Sequence, residues 1–422
     1  MKLIHTADWH LGQQLHNQSR EYEHRRFLDW LLETLSERRP DALLIAGDIF
    51  DVVNPSLTAQ SLLYDFLVRA HEALPRLTIV MIAGNHDSGA RIELPAPLLT
   101  RLRTHAIGRL HWFDDNTPDS DRLLIPLEDA EGHTAAHCLA IPFLRPSEIS
   151  ARAPVTDDSA VTESGHAYID GISRIHRELI ATAENELQPN QALVVMSHAH
   201  MHGATVSEHS ERPIVIGGEE SLPISLFGET PSYVALGHLH RPQQIGGEHI
   251  RYAGSPIPLD FSERHYPHQV VEITLSGPRL VERRSLPIPH FVELRRVGPA
   301  PLEEVLTALE AMEPAAEHAA HREQWPWLEV RVRLEAPCVD LRARIERALS
   351  TRAARLMCIH IERTAADQPD TRYLAHGAPD PRTLFCETWQ QQHDAPPDER
   401  TLADFDALYQ AVLDHPEGSE SP

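Results

Sequence analysis

One lysine, Lys2, and four cysteines are all that this chain of 422 residues holds of those two residue types. Cys138, Cys338, Cys358 and Cys386 are widely scattered and form no C-x-x-C pair. That spacing argues against a zinc knuckle or a disulfide framework and for a reducing compartment. The chain has no glycine–lysine loop of the Walker A kind, so any ATP dependence has to come from another chain. Long apolar runs are missing too: none approaches the roughly 20 residues that span a bilayer. The opening Met1-Lys2-Leu3-Ile4-His5-Thr6 turns polar too soon for a signal peptide and reads as a first strand, so a cytoplasmic protein with no membrane is expected. Positive charge is scarce, with a net charge of −24. This is the opposite of a stand-alone DNA-coating protein, but it leaves room for an enzyme whose metals and partner supply the positive charge. Almost all the cations are arginine, which suits bidentate phosphate contacts, although a GC-rich genome produces the same bias.

The length allows two or three domains and a substantial core. Apolar segments rich in leucine or β-branched residues recur, and several end in polar, metal-ligand-type residues. Lys2–Thr6 leads to Asp8-Trp9-His10, Ala42–Ala46 to Gly47-Asp48, and Leu77–Ala83 to Gly84-Asn85-His86-Asp87. Further on, Ala192–Met196 leads to His198, and Ser232–Leu236 to Gly237-His238-Leu239-His240. Helical spacing of Phe27, Leu28, Leu31, Leu32 and Leu35 predicts a helix over Arg20–Arg38. A second helix carries Leu63, Phe66, Leu67, Ala70 and Leu74 inward, with Asn54-Pro55 as its expected cap. Strand–helix alternation of this kind argues for an α/β domain. The segment Ser147–Ser164 reads as a loop, a helix is expected from Tyr168 to about Leu187, Gly254-Ser255-Pro256 as a tight turn, and Val270–Thr274 as the strand that finishes the sheet.

Beyond Pro287 the pattern becomes a small α+β unit without metal-type residues. Strands are expected at Phe291–Arg296, Trp327–Leu334 and Leu356–Ile361, with helices at Pro301–Met312 and Val339–Leu349 between them. A linker around Ala378–Pro381 precedes two short amphipathic helices carrying Leu384, Phe385, Trp389, Leu402, Phe405, Leu408, Tyr409 and Val412. That is more apolar surface than so short a tail buries on itself, which points to partner binding. The expected divisions are 1–286 (catalytic), 287–376 (accessory), 377–415 (helical tail) and 416–422 (disordered).

Taken singly, Asp8 or Asp48 is an ordinary turn residue, and a lone histidine among 28 is an ordinary surface residue. His5, His16, His24, His105 and His111 are read that way. The ordered set is different. Phosphodiester hydrolysis needs charge neutralised on the non-bridging oxygens and a nucleophilic hydroxide. Two divalent ions about 3.5–4 Å apart supply both. Asp48 is the natural bridging carboxylate, and histidines with an asparagine carbonyl keep the site's negative charge low enough to admit a phosphate. Mixed nitrogen and oxygen donors without thiolate suit manganese, with magnesium, iron or zinc as other candidates. His200 and His202 stand close enough to His198 to compete as the ligand. His198 is preferred because it comes first after its strand.

The ordered motifs resemble the calcineurin-like metallophosphoesterase superfamily. Within it the chain is similar to the bacterial nuclease subunits that pair with an SbcC-like SMC-type ATPase. The narrow features are His5-Thr6-Ala7-Asp8-Trp9-His10-Leu11-Gly12, Gly47-Asp48-Ile49-Phe50-Asp51, Tyr233–Gln243 and Gly254-Ser255-Pro256. The resemblance implies an α/β fold: a β-sandwich flanked by helices, with the accessory unit and helical tail appended. It also implies that Asp8, His10, Asp48 and His240 hold one metal and that Asp48, Asn85, His198 and His238 hold the other. His86 would assist the leaving oxygen, oriented by Asp87, and the role of Asp51 is left open. The implied activity is an ATP-dependent double-strand exonuclease and a single-strand and hairpin endonuclease in DNA recombination, replication and repair. The implied assembly is a homodimer within a heterotetramer with the ATPase. The Asp-Arg-Gly run of Ser/Thr phosphatases is missing after Gly47-Asp48. A small-molecule phosphodiesterase or nucleotidase, or a non-catalytic scaffold, remains as the alternative.

Overall fold

The computed structural model describes residues 1–113, 117–145, 148–149, 164–206, 221–315, 319–334, 336 and 338–363. Beyond these it describes 382, 385–386, 389–390, 395–398, 400–402 and 405. The chain divides into two compact units, Met1–Val332 with Val339–His360, and Arg333–Cys338 with Ile361–Pro422.

The first unit is built on two six-stranded sheets packed face to face. In one, the parallel strands Lys2–Thr6, Ala42–Ala46, Thr78–Ile82 and Thr104–Ile107 lie side by side. The antiparallel pair Gln269–Ser276 and Arg279–Pro287 extends its edge. In the other, Thr134–Ile141, Ala192–His198, Tyr233–Gly237 and Ile250–Tyr252 are parallel, with short antiparallel strands at both edges. Side-chain alternation explains the layering. Leu43 and Ile45 face the helices Glu21–Arg38 and Leu57–Ala73, whereas Ala42, Leu44 and Ala46 face the second sheet. Likewise Leu193 and Val195 face the helix Ser164–Glu186, and Val194 and Met196 face the first sheet. The result is four layers, helix–sheet–sheet–helix. The strands are apolar on both faces because both faces are covered.

Two local expectations change. The Leu57–Ala73 helix is capped by Ser56, whose Oγ accepts from the Ala59 amide at 3.2 Å, and not by Asn54-Pro55. The strand around Val270 does not join its sequence neighbour Ile250–Tyr252. It returns to the first sheet and pairs with the opening strand, Leu3 opposite Ile273. Near-complete burial of Val270, Val271 and Ile273 between layers drives that return.

A third sheet runs Leu294–Pro301, Trp327–Leu334, Arg355–Arg363, and the helices Leu302–Glu310 and Leu341–Leu349 accompany it. Leu294, Trp327 and Val292 cluster with Phe261 and with Leu15 of the Gln14–Ser19 hairpin. The Trp327 indole donates to Glu23, itself locked to the fully buried Arg20. In the second unit the Phe385 and Phe405 rings stack 4.3 Å apart. Leu384, Leu408, Tyr409 and Val412 of the expected tail, the 416–422 terminus and most of the expected Ser147–Ser164 loop lie outside the described residues.

Candidate metal centre

Five parallel strands, three from one sheet and two from the other, end on the same side, and their carboxyl ends deliver the polar motifs to one place. Beyond the strands the first two loops continue to run together: the Asp8 amide donates to Gly47 O, His10 to Asp48 O and Leu11 to Ile49 O, at 2.9–3.0 Å. Glycine is obligatory at two points of this convergence. Gly47 has φ +91°, and a Cβ there would lie 2.2 Å from the His198 ring; a Cβ on Gly84 would lie 2.1 Å from Asp48 Oδ1. Asp8, His10, Asp48 and His238 themselves have positive φ, at 54°, 47°, 46° and 109°. Four non-glycine residues in that region mark a strained turn held for what it presents.

The side chains gather around Asp48. Its Oδ2 stands 3.4 Å from His198 Nε2 and 3.6 Å from His10 Nε2, while its Oδ1 accepts from the His86 amide at 2.8 Å. Asn85 Oδ1 faces His198 Nε2 at 2.9 Å and His238 Nδ1 at 3.2 Å. Asp8 Oδ1 accepts from the His238 amide. Asp8, His10 and His240 bring ligand atoms within 4.8 Å of one another, as do Asp48, His198 and His238, and also His10, Asp48 and His86. All of these are buried.

The outer nitrogens decide what the inner ones are available for. His198 Nδ1 donates to Ala46 O at 2.9 Å, His240 Nδ1 to Glu263 Oε1 at 2.8 Å, and His10 Nδ1 to Asp51 Oδ1 at 3.2 Å. A neutral ring so committed turns an Nε2 lone pair inward. His198 Nε2 then faces the oxygens of Asn85 and Asp48, acceptor against acceptor. Asp8 Oδ2 and His10 Nε2 are buried with no hydrogen-bond partner among the described residues. Such a cluster needs cations to be stable, and two divalent ions fit it. The charge distribution tells the same story. Burial pushes the Asp8 carboxyl up. Burial also opposes ionisation of Asp48, but the His198, His10 and His86 charges outweigh it and hold Asp48 well below the usual range. Burial would depress His198, yet Asp48 and Asp8 raise it to about 9, so where no cation sits among these groups a proton on Nε2 takes its place as the counter-charge.

Comparison with known proteins accords with this geometry. Residues 1–242 match the calcineurin-like phosphoesterase model, and residues 290–393 match the model described as the type 5 capsule protein repressor C-terminal domain. The SbcD subunit of the nuclease SbcCD from Rhodobacter capsulatus is 39% identical over 87% of this chain and 89% of its own length. The Escherichia coli K12 protein of the same name is 35% identical over 68% of each chain. The Bacillus subtilis one is 32% identical over 64% of this chain and 65% of its own. This chain belongs to the SbcD family of calcineurin-like phosphoesterases.

In this SbcD-family chain, His198 meets Asp48, whereas the His200 ring lies 6.1 Å from His238 and His202 Nδ1 faces Ser221 Oγ. Asp87 does not orient His86. Its carboxylate accepts from the amides of Ile49, Phe50 and Gly84, tying the two loops together. His86 Nδ1 instead donates to the Asp51 carbonyl at 2.7 Å. Asp51 thus holds two histidines, one through its backbone and one through its side chain. Two contributors and two burials escaped sequence reasoning. Glu263, fully buried, sets the His240 ring and accepts the Leu259 amide. Arg145 donates to Asp87 O at 2.7 Å, bracing the Asn85–Asp87 loop. His5, expected at the surface, is buried with Nδ1 3.0 Å from Tyr233 Oη, and His24 is buried as well. A glutamate among Ser262 and Arg264 carries no sequence signal of burial. His5, however, alternates with Leu3 and Ala7, and His24 stands at helical spacing from Phe27, Leu28 and Leu31, a readable hint.

Proposed function

We propose that this chain is the nuclease subunit of an SbcCD-type complex and hydrolyses DNA phosphodiester bonds with two divalent ions. Asp8, His10, Asp48 and His240 would hold one ion, and Asp48, Asn85, His198 and His238 the other. The observation that carries this reading is the buried, inward-facing donor set around Asp48. It supports the assignment together with the identity to SbcD nuclease subunits over most of the chain. When bound, the ions neutralise the phosphate and supply a hydroxide at neutral pH. The chain's own residues do the rest. Asn85 contributes a neutral amide in place of a third carboxylate, so an anionic phosphate is not repelled. His86, with Nδ1 tied to the Asp51 carbonyl, would pass a proton to the leaving oxygen from its ring. It lines a cavity of about 250 Å³ with His10, His240, Gln13, Gln14 and His16, where the scissile phosphate enters. Donors of nitrogen and oxygen type without thiolate favour Mn²⁺, with Mg²⁺ as an alternative.

The activity is an ATP-dependent double-strand exonuclease and a single-strand and hairpin endonuclease in recombination, replication and repair. ATP is used by an SbcC-like SMC-type partner, in a heterotetramer containing two copies of this chain. The apolar tail supports that pairing, with 377–415 as the docking segment after a catalytic region over 1–286 and an accessory region over 287–376. Four cysteines without a disulfide suit the cytoplasm. The test is manganese-dependent cleavage of single-stranded and hairpin oligonucleotides by the purified chain. Asp48→Ala is expected to lose cleavage and most bound metal together. Two full equivalents retained in that variant would overturn the ligand assignment. Deleting Asp380–Pro422 should spare single-strand cleavage and abolish capture of the ATPase, and full-stoichiometry capture would remove the tail from that role.

A further inference from the structure

Next to the catalytic cavity lies a larger one of about 640 Å³, lined by His16, Asp260, Phe261, Ser262, Arg264, Arg296, Glu329, Arg331 and His360. His16 and Asp260 border both cavities, so one groove leads from His86 and His240 to the third sheet. Three guanidiniums enter it from different elements. Arg264 follows the short Phe261–Glu263 helix and donates to Phe261 O at 3.0 Å, Arg296 comes from the Leu294–Pro301 strand, and Arg331 from the Trp327–Leu334 strand.

Glu329, on the middle strand, is 4% exposed and holds both Arg296 and Arg331, the latter at 3.2 Å, with His360 Nε2 3.3 Å away. With Cys358 and His360 it forms a group that sequence reasoning did not expect in this region, and whose ligand atoms all lie within 4.8 Å. That group is a poor cation site. Its carboxylate is already neutralised by two guanidiniums, and burial pushes the Cys358 thiol up to about 11, away from the thiolate a metal needs. The carboxylate instead fixes the direction of two arginines. Asp260, the other acid of the cavity, accepts the Ser262 amide at 2.8 Å. Three guanidiniums therefore face two carboxylates, with His16 and His360 beside them. Burial and the charges of Arg296 and Arg331 hold Arg264 below its usual value. A bound anion relieves that crowding.

Resting on the nuclease reading above, we propose that this cavity is a second phosphate subsite. Arg264, Arg296 and Arg331 hold a backbone phosphate of the substrate strand neighbouring the one cut, so that the third sheet sets the strand's position over the metals. Guanidinium forks suit phosphate oxygens. The subsite acts on a polynucleotide and not on a single ester.

The experiment compares an oligothymidylate with bis(4-nitrophenyl) phosphate, using the full chain with manganese. Arg264→Gln, which leaves Glu329 paired, is expected to raise the KM for the oligonucleotide roughly tenfold relative to that for the ester. In EDTA the salt slope of oligonucleotide binding should fall by about 0.7, the loss of one single-strand phosphate contact. Arg331→Gln, on a different element, is read by the same ratio, so a folding defect at one position does not decide the result. A KM ratio and salt slope unchanged in both variants would overturn the subsite. So would a bound manganese equivalent that Glu329→Gln alone removes, since the cavity would then take a cation. A wild-type chain that hydrolyses the ester but neither binds nor cuts the oligonucleotide would instead overturn the nuclease reading, and the subsite with it.

Discussion

His86 differs from its neighbours in how its ring is held. His10, His198 and His240 each lean through Nδ1 on a side-chain or strand acceptor. His86 leans on the Asp51 carbonyl and borders the cavity where substrate enters. On the reading proposed above, His86 moves a proton and is not one of the metal ligands. His86→Ala is therefore expected to keep metal content and DNA binding while losing roughly 10²–10⁴ in rate, the usual weight of acid–base assistance. A near wild-type turnover rate would remove it from the mechanism. Glu263 makes the opposite case: it is fully buried behind His240 and would act on a bound metal through that ring. Glu263→Gln keeps the size but weakens the acceptor, and metal affinity is expected to fall about 10–100-fold, as for other partners of ligating histidines. Isothermal titration with Mn²⁺ checks it, and an unchanged Kd would reduce Glu263 to a cap for Leu259.

At the scale of elements, the site is a property of loop convergence. Each loop follows a buried strand; backbone bonds pin the Asp8 loop to the Asp48 loop, and the Asp87 carboxylate binds three amides across the Asp48 and Asn85 loops. The glycines permit this closeness. Gly84→Ala would press a methyl onto Asp48, and the expected outcome is a loss of bound metal together with a lower melting temperature, read by elemental analysis and calorimetry. A variant with full metal content and an unchanged melting temperature would show that the loops are looser than their contacts imply. The strands and long helices were legible in the sequence because two-residue and 3.6-residue apolar periods are local. The cap at Ser56, the return of Gln269–Ser276 to the opening strand and the carboxylate behind His240 were not. Each depends on which surfaces meet after the chain has crossed the molecule.

At the scale of the whole molecule, layering buries several histidines as neutral rings. Burial depresses His5 and His24 to about 3 and His176 to about 4, against 6.5 for an exposed ring. Below pH 6.5 the unfolded chain takes up protons that the folded chain refuses. The stability these rings contribute is therefore complete above pH 6.5 and is lost as pH falls toward 4. Each group costs about 2 kcal/mol by pH 5, taking 1.36 kcal/mol per pH unit as the bound. Urea midpoints measured in EDTA, which keeps metal release out of the comparison, should fall steadily from pH 7 to 5. A flat profile would mean that these rings accept protons without unfolding.

By itself the sequence singled out the candidate site residues and their order, from Asp8 to His240, because ligand-type residues at strand ends are written in linear spacing. It also determined the α/β class, through apolar periodicity, and the scarcity of lysine and paired cysteine that excludes other chemistries. Tertiary structure alone decided which nitrogen of each histidine faces inward, since that choice belongs to acceptors distant in sequence: Ala46 for His198, Glu263 for His240 and Asp51 for His10. It also decided that Arg264, Arg296 and Arg331 share one cavity. Charges from three separate elements meet only once burial of Phe261, Leu294 and Trp327 has brought those elements together.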